Sequence, residues 1–142
     1  MIWRAGTLAI VAVTFGTLGM FIADRAPPTT VYNAEPEDQH VIPGGTLRIK
    51  YSVYRTRSCA TSVERMLYDS KRVRYILEDL EFKASPGPLG PDGYTSIIPI
   101  PAHFARGEGR YRALTTYRCN PIHSLWPISV LTADVTFDVT GP

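Results

Sequence analysis

Two long alternating runs, each closed by one of the only two cysteines in the chain, constrain the fold more than any other feature. From Thr46 to Ser58, Leu47, Ile49, Tyr51 and Val53 alternate with Arg48, Lys50, Ser52 and Tyr54, and Cys59 follows. From Gly109 a second run passes through Arg110, Arg112 and Arg118 to Cys119 and Asn120. Period-two alternation is the mark of a strand with one face on a core and one in water. A disulfide joining the two strand ends would tie the halves of an antiparallel sandwich together. Two cysteines are too few for a disulfide-dense scaffold and lack zinc-site spacing. Outside the cytoplasm, one Cys59–Cys119 bridge is the natural reading.

The rest of the chain supports a β-rich body. Twelve prolines and eleven glycines break the apolar text into short pieces, which favours turns and short strands over helices. Ser62 to Tyr68 and Val73 to Leu77 read as a hairpin about Asp69, Ser70 and Lys71, and Glu78 to Lys83 as a further short strand. Ser85 to Gly93 reads as a loop. Tyr94 to Pro101 reads as a strand held to a sheet edge, because Pro99 and Pro101 cannot donate to a ladder. Ser129 to Val139 alternates as one last strand. Residues 26–40 read as a Pro-rich tether, with room for a short strand near Val31.

Ahead of this body, Ala5 to Ala23 carry no charge. As a helix they would span about 28 Å, close to the roughly 30 Å hydrocarbon core of a bilayer. Arg4 before the run and Asp24 with Arg25 after it favour an N-terminus-in orientation. The expectation is a transmembrane signal-anchor over 1–25, a tether over 26–40 and a β-sandwich over 41–142. A cleaved signal peptide is the alternative.

The order of long and short strands, together with Tyr117-Arg118-Cys119, resembles an immunoglobulin-like domain. The resemblance assigns Thr46–Ser58 to the B place, the Ser62–Leu77 hairpin to the C region, Tyr94–Pro101 to E, Arg110–Cys119 to F and Ser129–Val139 to G. It implies an all-β, antiparallel sandwich of about seven strands. The Trp expected some dozen residues after the first cysteine is missing, and Cys119 falls at the end of its strand. The plan of anchor, tether and one small β-domain also resembles small envelope proteins of bacteria and their phages.

Reaction-bearing motifs are not found. His40, His103 and His123 have no metal-ligand spacing. His123 with Ser124 lacks any nucleophile elbow. Glu78, Asp79 and Glu81 read as a solvated turn. A net charge of +2 gives no dominating basic face for nucleic acid. Interaction candidates are Ile122, Leu125, Trp126 and Ile128 in an apolar loop, and Arg110, Arg112 and Arg118 on an outward strand face, continued by Lys71, Arg72 and Arg74. The expected function is a membrane-anchored, extracytoplasmic, non-enzymatic binding or structural module of a cell envelope or virion, without cofactor, metal or nucleic acid. It would sit in the inner membrane with its C-terminal domain in the periplasm or outside the cell. The alternatives are a secreted binding or inhibitor domain, and a small hydrolase or metal-binding domain.

Overall fold

The computed structural model describes residues 2–141, with the side chains of 2–5, 7 and 8 left aside. One helix, α1 (Ile2–Ala23), precedes ten strands: β1 (Thr29–Pro36), β2 (His40–Val41), β3 (Thr46–Arg55), β4 (Ala60–Tyr68), β5 (Arg74–Ile76), β6 (Leu80–Phe82), β7 (Gly90–Pro99), β8 (Gly107–Arg118), β9 (Ile128–Leu131) and β10 (Val135–Val139). They form a three-stranded sheet in the order β1-β3-β7 and a seven-stranded sheet in the order β2-β10-β8-β4-β5. In the larger sheet β6 also pairs with β4, and β9 also pairs with β8. The core between the sheets is built from the inward phase of β3 (Leu47, Ile49, Tyr51, Val53), Leu67, Ile98, Tyr111, Val135, Phe137 and their neighbours. Gly109 permits the tightest packing there, because a Cβ would stand 2.7 Å from the Phe137 ring.

The expected fold is corrected in two respects. Among the described residues no helix is long and apolar enough to cross a membrane, which overturns the transmembrane helix expected over 5–23. The β-region, in turn, is not an antiparallel immunoglobulin-like sandwich of about seven strands. It has ten strands in two sheets of three and seven, and β2 runs parallel to β10.

Strand bounds shift for local reasons. The last alternating run is two strands, because Thr132 folds back on β8 and exchanges bonds with the Ala113 backbone. The expected tether holds β1, which pairs with β3 from Thr29 to Pro36. The end of the expected Ser85–Gly93 loop is already β7, paired to β3 from Gly90 onward.

Cys59 and Cys119 form a disulfide with their Cα atoms 4.7 Å apart. The bridge does not span the two sheets. Ala60 lies opposite Arg118 in the antiparallel β4–β8 ladder, so Cys59 and Cys119 continue that ladder by one pair and close a single sheet. A Cα spacing near 4.5 Å is that of a non-hydrogen-bonded antiparallel pair.

The end of α1 is fastened beside this bridge. Asp24 pairs with Arg57 at 2.6 Å, and the Arg25 guanidinium donates to the carbonyls of Trp126 and Pro127. His123 is wholly buried. Its Nδ1 accepts from the Cys119 N–H at 3.1 Å, so the proton belongs on Nε2, which donates to the Asp24 carbonyl at 2.8 Å.

Two outcomes follow. Reducing the disulfide opens a loop of 60 residues, worth roughly 4 kcal/mol in the chain-entropy model. Calorimetry with and without reductant should show a melting temperature lower by at least about 10 °C. A chain beginning at Pro27 strands the buried His123 Nε2–H without its acceptor. It should be less stable than the full chain by about 1–3 kcal/mol in urea unfolding, whereas removal of residues 1–20 should cost little.

Candidate functional site

The unequal sheets leave an opening. β1 lies against β10, so the sheet order sets β3 over β8 and β7 over β4; no strand lies above β5 and β6, and His103 and Phe104 pack over Tyr75 of β5. Between β7 and the β4–β6 edge lies a partly open cavity of about 500 Å³, with Ser85, Pro86 and Gly87 of the β6–β7 loop also in its lining.

Four tyrosines furnish its inner walls: Tyr51, Tyr94, Tyr111 and Tyr117. Tyr51 and Tyr94 are directly opposite each other in the β3–β7 ladder and stack with ring centroids 5.0 Å apart. Tyr94 stays 44% exposed. Burial pushes all four hydroxyls up, Tyr94 to about 12. They are therefore neutral hydrogen-bonding groups at physiological pH and not bases.

Two arginines face inward. Arg55 continues the buried phase of β3 and is 5% exposed; Arg65 lies in the buried phase of β4 and is 9% exposed. Arg55 is paired with Asp92, and its guanidinium also lies 5.8 Å from the centre of the Tyr94 ring. The hydrogen bond from Arg55 holds the Asp92 carboxyl below the usual carboxylate range. Gly87 lies over the pair at φ +90°, and a Cβ there would come within 2.6 Å of Asp92 Oδ2. Arg65 has a different environment. Its Nε and Nη2 donate to one backbone carbonyl, that of Glu78, at 3.2 and 2.7 Å. Among the described residues no carboxylate lies within ion-pair distance of it.

At the disulfide end, Thr61 and Ser85 form a buried hydroxyl cluster on the Cys59 backbone. Among the described residues no acid or base joins it.

The residues singled out from sequence lie elsewhere. Pro121–Ser124 forms a 3-10 turn capped by Asn120. Ile128 is core, Ile122 is half-buried, and Leu125 and Trp126 remain 89% and 55% exposed. Arg25 stacks 4.2 Å over the Trp126 ring. Arg110 pairs with Glu108, and Arg112 grips Asp134 with two hydrogen bonds. Arg118 is exposed. The basic stripe is thus partly neutralised within its own sheet. His123 has both ring nitrogens occupied and cannot activate the exposed Ser124. Among the described residues no group of His, Cys, Asp and Glu is arranged to hold a metal.

Arg55 and Arg65 were the functional candidates missed in the sequence. Their signal was phase: each interrupts the apolar set of an alternating strand with a charge.

No family model matches the chain, and no curated protein matches it in sequence. Among solved structures it is similar to the sporulation control protein Spo0M from Bacillus subtilis, at 8% identity and a TM-score of 0.43. The match covers 82% of this chain and 50% of that one, so the chain spans about half the length of that protein.

Two measurements check the site. Unfolded tyrosines titrate near pH 10. Because folding raises the cleft hydroxyls, their neutral forms contribute stability below about pH 10 that is lost as pH climbs through their folded values. Absorbance titration should show Tyr94 ionising near pH 12, and Tyr94→Phe should remove that step. Trp126→Ala should cost no more than about 1 kcal/mol, the scale of an exposed cation–π contact, and not the 3 kcal/mol or more, roughly, of a core aromatic. Urea unfolding distinguishes the two.

Proposed function

We propose that the chain is a non-enzymatic binding module acting outside the cytoplasm, on a cell envelope or virion, and that the inter-sheet cleft receives its ligand. The cavity of about 500 Å³ carries this reading. It has the size and character of a ligand site: mostly apolar walls with a few placed polar groups. The acid–base inventory favours binding over reaction. The tyrosines are held neutral by burial, Asp92 is engaged by Arg55, and the Thr61–Ser85 hydroxyls bond to backbone and to each other. The Cys59–Cys119 disulfide supports an oxidising compartment, where such bonds persist.

A photo-crosslinking phenylalanine analogue tests this in cells. Placed at Tyr94 in the cleft mouth, it should yield a discrete adduct. Placed at Tyr32, 72% exposed on β1, it should not. Thr115→Trp, which fills the half-buried inner wall of the cleft, should abolish the adduct at 94. Equal adducts at both positions, or persistence after filling, would remove the cleft as the ligand site.

A further inference from the structure

The smaller sheet ends on a free edge whose chemistry can be read residue by residue. Among the described residues β7 pairs with β3 and with no other strand. Beyond its end, the Ile100 N–H donates to the Gly45 carbonyl at 2.9 Å, one step further along the same register that sets Pro99 against Thr46. That bond fixes parity: residues 90, 92, 94, 96 and 98 direct their backbone groups to β3. Residues 91, 93, 95, 97 and 99 direct theirs to the open side. Pro91 and Pro99 have no N–H, so the free donors are those of Gly93, Thr95 and Ile97, flanked by a proline at each end. The edge is long enough for about five added residues, near 17 Å, and the prolines stop it growing further.

The free edge and the cleft are parts of one opening. A strand laid along β7 would lie above β6 and the adjoining part of β4, whose residues line the cavity, and its alternate side chains would enter the space between the sheets. Arg65 is there, nine-tenths buried, with a guanidinium that meets a single carbonyl. A buried cation without an anion is costly and gains most from a carboxylate brought to it.

Resting on the reading of the cleft as the ligand site, we propose that its ligand is an extended segment of a partner protein that adds to β7 as a fourth strand, with apolar side chains in the cavity and one carboxylate on Arg65. Strand addition of this kind takes affinity from main-chain hydrogen bonds and specificity from alternate side-chain pockets.

The test is selection of random nine-residue peptides on the full chain held in mild detergent. Enriched peptides should carry an Asp or Glu at one fixed position, with apolar residues two places to either side. Binding should slow amide exchange at Gly93, Thr95 and Ile97. Changing the peptide's acid to its amide, or Arg65→Gln in the protein, should each weaken binding about tenfold, the scale of a charge-assisted hydrogen bond. Ile97→Pro removes an N–H that the free protein leaves unpaired; it should abolish peptide binding while leaving the melting temperature nearly unchanged. The peptide pair keeps the carboxylate arm decisive even where Arg65→Gln is poorly folded. Peptides that bind in the cleft without protecting 93–97, or that tolerate loss of the acid, overturn this inference and leave the binding module standing. If selected peptides bind another surface, or none bind, the strand-addition inference falls, and the crosslinking at position 94 decides the cleft reading by itself. Dimers of the full chain that Ile97→Pro converts to monomers would make the occupant a second copy of this chain and overturn the partner segment.

Discussion

A three-stranded sheet cannot cover the inner face of a seven-stranded one. Every β-sandwich must bury two apolar faces against each other, and here the faces differ in width. Over β10, β8 and β4 the match is good, and Leu47, Ile49, Leu67 and Ile98 are fully buried. Beyond β4 there is no opposing strand; His103 and Phe104 cover Tyr75 of β5, and the inner side chains on the β6 side must tolerate water or hold it off. Tyrosines and arginines suit that place, since each joins a long apolar body to a polar end. The cleft is therefore the margin of the core and not an addition to it.

The opposite requirement operates at the disulfide end. There the chain enters from α1, crosses from β3 to β4 and leaves β8 for the 3-10 turn. The bridge fixes Cys59 against Cys119, which sets the register of the β4–β8 ladder that forms one wall of the cleft. His123 then spans from the Cys119 amide to the Asp24 carbonyl. One buried neutral imidazole thus couples the strand end, the turn and the entry of the chain. A charged ring would have to give up the bond at Nδ1, because both nitrogens would be donors. The disulfide end is thus held by a covalent bond and buried hydrogen bonds, while among the described residues the β7 edge has no strand beside it.

The alternation of Leu47, Ile49, Tyr51 and Val53 was enough to place β3 and its buried face, because side chains in a strand alternate without regard to what they meet. The same period located β8 and the hairpin of β4 and β5, and Pro99 correctly marked β7 as an edge strand. The pairing of Cys59 with Cys119 was legible because the chain offers no other. Which strands neighbour each other was not. Period two says which residues face inward but nothing about the strand across the ladder, so the disulfide was read as a tie between sheets although it closes one.

What the sequence by itself determined is local: strand phase, turn positions, an oxidisable cysteine pair, and an apolar N-terminal run that suggested a membrane span, where among the described residues no helix is long and apolar enough to cross. Tertiary structure alone decided the split into three and seven strands, because sheet width depends on long-range pairings that no short window contains. It also decided the meaning of Arg55 and Arg65. In the sequence they are charges out of phase; in the fold one has Asp92 and the other, among the described residues, has no carboxylate. That difference depends on which side chains other strands bring near, and it is fixed only when the sheets close.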